Sequence, residues 1–330
     1  MPKAKITALG CYAPPNLLTN QDLEKLVDTS DQWIMERVGI KERHMASPDM
    51  ATSDLAVEAA KCALAQRGIE AAELNAIIVC TVTPDMFFPS TACLVQHRLG
   101  ARGAWGFDLI AACSSFVYGL TTGAHLVAAG THKKVLIIGA DTMTRIIDYT
   151  DRGTCVLFGD GAGAMLLEPA EDGENFGFID FLGEVDGSGG DYLKMPAGGS
   201  RMPASHETVD QRLHFVKQDG AQVFKYAVRK MYEVARDLLA RNNVSIEDVR
   251  VMIPHQANKR IITATAERLG MPLEKVVINI DRYGNTTAGT IPLAARDAIA
   301  RGMLKKGDLA LMVAVGAGYT VGASLWRWAF

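Results

Sequence analysis

Residues 104–120 read AWGFDLIAACSSFVYGL, and the division of this stretch decides the fold. Trp105 to Ile110 has the apolar character of a short buried strand, and Phe116 onward is rich in the small and apolar residues of a packed helix. Ala111, Ala112, Cys113, Ser114 and Ser115 lie between the two. A thiol at a strand-to-helix junction sits among unpaired backbone N–H groups at the positive end of the helix dipole. Both favour the thiolate, which is the nucleophilic form. The opposing reading of Cys113 is a small core residue, the common fate of a free cysteine.

Outward from this stretch the chain repeats itself. HRLG ends at Gly100 and ERLG at Gly270. The helix after Cys113 runs to Gly130, and one after Asn285 runs to Gly302. Lys133–Lys134 precede one buried strand and Lys305–Lys306 another. Cys113 and Asn285, Gly130 and Gly302, and the two lysine pairs are each 172 residues apart. A strand–loop–helix–strand unit used twice predicts a duplicated α/β fold with pseudo-twofold symmetry. The expected halves are 1–170 and 217–330, joined by a loop-rich connection over 171–216 that holds GSGG and PAGGS. Equivalent loops of such halves converge near the pseudo-axis, so Cys113 and Asn285 are expected to face one site. His255, in PHQAN after the strand VRVMI, reaches it from the same edge.

Composition narrows the function classes. The 330 residues carry a net charge of −3 and 48% hydrophobic residues, which supports a sizeable core and gives no sign of nucleic-acid binding. No run approaches about 18 apolar residues, and MPKAKITALG lacks a signal-peptide core. A cytoplasmic protein with no membrane association is expected. The six cysteines, at 11, 62, 80, 93, 113 and 155, form no C-x-x-C pair, so neither a metal site nor a redox dithiol is expected. Gly159, Gly161 and Gly163 match no phosphate-loop pattern and read as tight turns that allow close backbone approach. Trp33 with Arg37 and Arg43 can stack an adenine and pair phosphates, or form a solvated helix edge. Phe87 and Phe88, in the loop TPDMFFPS, are a buried anchor or an apolar surface offered to a partner.

Three segments therefore converge: IAACSSF, PHQAN and RYGNTTAG. By itself a histidine after a strand is an ordinary hydrogen-bonded residue, and an asparagine before a helix is an ordinary cap. Together with a candidate thiolate they admit two chemistries. His255 could be the base for Cys113 with Asn285 orienting it, as in cysteine proteases. Alternatively His255 and Asn285 both donate to one substrate oxygen and stabilise an enolate. Spacing does not choose between them.

CSSF, PHQAN, NIDRYGNTTAG, FGDGAG and GAGYTVG together resemble the β-ketoacyl-acyl-carrier-protein synthase III family of thiolase-fold condensing enzymes, over about Ile6 to Phe330. The resemblance implies a thiolase-like duplicated βαβαβ-type fold with central layered helices. It implies that Cys113 accepts an acyl group from acyl-coenzyme A, with the N–H groups of Cys113 and Ala317 as oxyanion hole. Malonyl-acyl-carrier protein would then decarboxylate against His255 and Asn285 and give a 3-oxoacyl-carrier protein, initiating fatty acid synthesis with no cofactor. Trp33 and Arg152 match positions that sandwich the adenine of coenzyme A. Arg37 lies nearby, and Asn258 matches a pantetheine contact. Phe88 matches a residue that crosses a homodimer interface into the neighbour's acyl pocket. Lys259 and Arg260 lie where the family presents basic charge to the carrier protein, although an ordinary solvated helix face gives the same pattern. Two departures, Ser115 in place of the family's glycine and GAGY in place of a triple glycine, leave primer length and branching open. The alternatives are a related condensing or acyl-transfer enzyme of a dedicated pathway and a catalytically silent partner subunit. Silent subunits typically lack the cysteine or histidine, and both stand here.

Overall fold

The computed structural model describes residues 3–330; Met1 and Pro2, assigned above to the first half, lie outside the described residues. Five strands form one sheet: β1 (Ala4–Tyr12), β2 (Ala76–Cys80), β3 (Trp105–Leu109), β4 (Val135–Thr142) and β5 (Asp160–Pro169). Their spatial order is β1-β5-β4-β2-β3. Four more form a second sheet: β6 (Gly177–Val185), β7 (Val251–Pro254), β8 (Leu309–Gly316) and β9 (Thr320–Arg327), in the order β6-β9-β8-β7. Matching β1 to β6, β5 to β9, β4 to β8 and β2 to β7 superposes the two orders, which is the duplication written in topology. Every residue of β2, β4, β7 and β8 is buried, as continuous apolar runs require of strands covered on both faces.

Two helices lie between the sheets, α3 (Ser115–Ala128) and α6 (Thr290–Ala300); the first touches strands of both sheets, and so does the second. Phe116, Leu120 and Ala124 of α3 share one apolar cluster with Ile291, Ala294 and Ala298 of α6. Helix α1 (Thr52–Arg67), with α2 (Thr91–Leu99), covers the outer face of the first sheet. Helices α4 (Gly220–Arg241) and α5 (Lys259–Leu269) cover the second. Small residues let these layers close. A Cβ at Gly119 or Gly123 would collide with Cys80 or Ile137 under α3.

Four sequence expectations need correction. The segment 171–216 is not only a connection, because it contains β6, an edge strand paired antiparallel with β9. Its sequence, GFIDFLGEV, is partly exposed over most of its length, so it shows no buried apolar run. The apolar, β-branched run VVINI (276–280) reads as a strand in the sequence, yet it shrinks to a single parallel bridge from Val276 to Met252. Asn279 draws the chain away: its N–H donates to Gln256 Oε1 at 3.1 Å and its amide to Asp297 at 2.7 Å. Gly161 and Gly163 are not turns but part of β5. A side chain at Gly163 would strike Pro292 of α6, so close approach is what these glycines serve.

The last correction concerns the repeat. Short 3-10 turns, Ala112–Ser114 and Thr287–Gly289, precede the two central helices. Each begins on a non-glycine residue with positive φ, 47° at Ala112 and 51° at Thr287. The symmetry mate of Cys113 is thus Ala288, not Asn285. Helix α6 has 11 residues against 14 in α3, and this three-residue difference restores the 172-residue spacing by Gly302. Asn285 reaches the site from just before its turn.

Candidate active site

Cys113 follows the strained Ala112 and is held from both halves of the molecule. Thr320 Oγ1 donates to Ala111 O at 2.7 Å, and Ser114 Oγ donates to Thr320 O at 2.9 Å. Gly316, at the end of β8, lies so close that a Cβ there would sit 2.7 Å from the Cys113 nitrogen. The hairpin between β8 and β9 therefore clamps the turn that carries the thiol. Asp141 ties the halves from the other side. Its carboxylate accepts from Thr81 Oγ1, Val82 N and Thr83 in the first half and from Ala288 N at 3.2 Å in the second.

The thiol is only 7% exposed. Burial, helped by the Asp141 charge, pushes it up from 9.0 to about 12, roughly 4 kcal/mol against the thiolate. A helix N-terminus returns at most about 2 kcal/mol. Burial wins, so the resting group is a thiol, contrary to the sequence expectation of a standing thiolate. Alkylation of Cys113 by iodoacetamide should accordingly rise about tenfold per pH unit from pH 7 to 9. The exposed Cys62 and Cys93 serve as controls, and a pH-independent rate at Cys113 would contradict this.

His255 directly follows β7, and its N–H donates to Val313 O at 2.8 Å. The ring is 1% exposed, and burial lowers it from 6.5 to about 3, so it is neutral at physiological pH. Nδ1 lies 2.7 Å from Thr290 Oγ1, while Nε2 is buried with no partner among the described residues. Asn285 is held through its backbone: its N–H donates to Leu157 O at 2.9 Å, and its carbonyl accepts from Gly159 N at 3.1 Å. Its Oδ1 accepts from Thr287 N at 2.9 Å. That bond fixes the amide orientation and leaves the NH2 group as the free end. Behind the 154–159 loop, the fully buried Arg43 donates to Val156 O and to Asn20 Oδ1.

Cys113, His255 and Asn285 line one cleft of about 590 Å³, which also includes Trp33, Arg37, Asn258 and Arg260. A second cavity of about 150 Å³ also touches Cys113 and is walled by Val82, Met143, Ile146, Val216 and Ala317. The thiol thus stands where a long cleft that reaches the surface meets a small apolar chamber. A two-part thioester fits this arrangement, with its carrier arm in the first and its acyl group in the second.

Residues 107–187 match the family model for 3-oxoacyl-[acyl-carrier-protein] synthase III, and residues 239–328 match the model for its C-terminal part. The β-ketoacyl-[acyl-carrier-protein] synthase III of Solibacter usitatus is 76% identical over the whole of both chains. That of Koribacter versatilis is 63% identical over 99% of this chain and 98% of its own. The crystal structure of the 3-oxoacyl-[acyl-carrier-protein] synthase III of Aquifex aeolicus superposes with a TM-score of 0.90 at 44% identity, covering 98% of this chain and 100% of that one. The chain belongs to this family.

The synthase III fold places the remaining predicted residues unevenly. The Arg152 guanidinium lies over the Trp33 ring, 4.4 Å from its centroid. Arg37 is exposed on the same cleft. Asn258 caps α5, accepting from Arg260 N at 2.8 Å, and its amide donates to Arg37 O at 3.2 Å. Lys259 and Arg260 are exposed in the first turn of α5, and the Arg260 guanidinium stacks on Phe224 at 5.2 Å. Phe88 is 84% exposed and lines neither cavity at Cys113. Of the two departures from the family pattern, Ala317 lines the small chamber. Ser115 does not: its hydroxyl donates to Ala112 O at 2.6 Å. Sequence reasoning missed Thr290, Thr287 and Asp141 as supports of the site. It also misplaced Arg43, read with Trp33 and Arg37 as a phosphate partner or solvated edge but fully buried and bound to Val156 O and Asn20 Oδ1. The one available signal was the run of hydroxyl residues in NTTAGT, directly after the candidate asparagine.

Proposed function

We propose that the chain catalyses the decarboxylative Claisen condensation of an acyl-coenzyme A primer with malonyl-acyl-carrier protein, the first condensation of fatty acid synthesis. The observation that carries the mechanism is the separate tethering of His255 and Asn285. A protease-like dyad needs Asn285 to orient His255, yet Asn285 Oδ1 is engaged by Thr287 N and His255 Nδ1 by Thr290. Each side chain is left with one nitrogen for the cleft. Two such donors suit an oxygen on which negative charge develops.

In the first step the Cys113 sulfur attacks the primer's thioester carbonyl, with the N–H groups of Cys113 and Ala317 receiving the oxyanion. The carbon–sulfur bond to coenzyme A breaks, and the proton lost by the thiol ends on the coenzyme A sulfur. Because Cys113 rests as a thiol, it must give up that proton as its sulfur attacks, and the departing coenzyme A sulfur is the acceptor. In the second step the malonyl carboxylate leaves as carbon dioxide, and its bonding electrons form an enolate whose oxygen is held by His255 and Asn285. The enolate carbon attacks the acyl-cysteine, and Cys113 leaves and regains a proton. Both reactants are thioesters and no electron acceptor is involved, so the chemistry needs no cofactor.

The Arg152 guanidinium stacks directly on the Trp33 ring, 4.4 Å from its centroid, which leaves no room for an adenine. On this reading the Arg152 side chain therefore swings aside to take the adenine against Trp33, with Arg37 near the phosphates. Lys259 and Arg260 occupy a helix N-terminus, where cations are disfavoured, and that placement supports a role in receiving an acidic carrier protein. Phe87 and Phe88, 81% and 84% exposed, support a homodimer in which Phe88 shapes the neighbouring subunit's acyl chamber. Among the described residues no helix is long and apolar enough to cross a membrane, which fits a cytoplasmic enzyme.

The small chamber, which the neighbouring subunit's Phe88 narrows further on this reading, places an upper limit on the primer. Its volume of about 150 Å³ holds about five water-sized groups at roughly 30 Å³ each. A panel of acyl-coenzyme A primers with malonyl-carrier protein, read as 3-oxoacyl product by mass, tests the function and its limit together. Acyl groups of two to about five carbons should be used, and octanoyl should fall about 10- to 100-fold through overpacking. No 3-oxoacyl product from any primer would overturn the proposal.

A further inference from the structure

Among the described residues the His255 ring makes one side-chain hydrogen bond, and its partner is a hydroxyl with a choice. Thr290 Oγ1 lies 2.7 Å from His255 Nδ1 and 3.0 Å from Thr287 O, and it has one proton to give. If that proton goes to Thr287 O, the hydroxyl accepts from Nδ1–H and Nε2 is bare. If it goes to Nδ1, Nε2 carries the hydrogen. Thr287 O already accepts the Thr290 backbone N–H, so the hydroxyl can turn away without leaving a buried carbonyl unpaired. Nδ1 has no other partner among the described residues, and Nε2 is buried and unpartnered on a residue that lines the cleft.

We propose that Thr290 is a positioning residue that donates its hydroxyl proton to His255 Nδ1, holding the ring in place with Nε2–H directed at the substrate. The proposal rests on the reading of His255 as a donor to the malonyl thioester oxygen. A bare Nε2 would repel that oxygen as its charge grows, whereas Nε2–H stabilises it, so the direction of one hydroxyl decides whether a neutral histidine can do this work. Thr290 lies five residues beyond Asn285, on the first residue of α6. The same turn therefore orients both donors, Asn285 through the Thr287 N–H and His255 through the Thr290 hydroxyl.

The test compares Thr290→Val, which keeps shape and removes the hydroxyl, with Thr290→Ser, which restores it. Acyl-enzyme formation and carbon dioxide release from malonyl-carrier protein are measured separately. Loss of the outer partner of a functional histidine commonly costs about 10- to 100-fold. Thr290→Val should lose this much in decarboxylation, in kcat rather than KM, and less than about threefold in acylation; Thr290→Ser should recover most of it. In ¹⁵N-histidine-labelled wild-type enzyme, with His255 assigned by its absence in His255→Ala, Nε2 should bear the proton and Nδ1 should be a hydrogen-bonded acceptor. In Thr290→Val the Nδ1 signal should move to that of an unbonded ring nitrogen. A proton on Nδ1 in the wild type, or decarboxylation by Thr290→Val within threefold of wild type, overturns the proposal. Equal loss of both half-reactions in the valine and serine variants would also overturn it, by making Thr290 merely structural. If His255→Ala itself decarboxylates normally, the underlying reading of His255 fails instead.

Discussion

Cys113→Ala should form no acyl-enzyme with any primer and lose condensation by about 10⁴-fold or more, as expected when a covalent nucleophile is removed. The loss should be chemical and not structural. The side chain is small, and deleting one buried atom costs only about 1 kcal/mol. The clamp around it, Thr320 on Ala111 and Ser114, uses backbone and neighbouring groups that the substitution leaves alone. Release of carbon dioxide from malonyl-carrier protein should survive in this variant, because its donors sit on the second half. Intact-protein mass after incubation with acyl-coenzyme A, together with labelled carbon dioxide release, measures both. Full condensation by Cys113→Ala would remove the nucleophile assignment.

His255→Ala and Asn285→Ala should do the reverse: accumulate acyl-enzyme and release about 10²–10³-fold less carbon dioxide, the usual effect of losing one oxyanion donor. If His255 were instead the base for Cys113, its removal would block acylation and spare decarboxylation. Asn285→Ala also strips the Thr287 N–H of its acceptor, at a cost of about 1–3 kcal/mol in stability. Asn285→Asp separates the two effects. It retains an acceptor for Thr287 while losing the donor, so decarboxylation should fall with a smaller loss of stability than in Asn285→Ala.

The large features were legible because they depend on local pattern. The apolar runs of β4 and β8 announced central strands, and the paired glycine stops announced a duplication. Cys113, His255 and Asn285 lie at element boundaries, where a reactive side chain stands out from its neighbours, and all three line one cleft. What stayed hidden depends on tertiary context. Strand β6 is a partly exposed edge whose apolar residues are interrupted by Asp180, Gly183 and Glu184. The three-residue difference between α3 and α6 moved the mate of Cys113 to Ala288, which the outer landmarks concealed. The state of the thiol was misjudged because a helix terminus is visible in sequence, whereas the desolvation that outweighs it requires the packed halves. The case for an enolate hole over a dyad rests on two hydrogen bonds, from Thr287 N and at Thr290 Oγ1, that residue spacing does not reveal.

The most direct measurement follows one acyl group through Cys113. The enzyme is incubated with acyl-coenzyme A, its mass and the modified peptide are read, and malonyl-carrier protein is then added. The expected result is one acyl group on the peptide that carries Cys113, discharged on addition of malonyl-carrier protein with equal amounts of carbon dioxide and 3-oxoacyl-carrier protein. An acyl group on another residue, or one on Cys113 that malonyl-carrier protein fails to discharge, would contradict it.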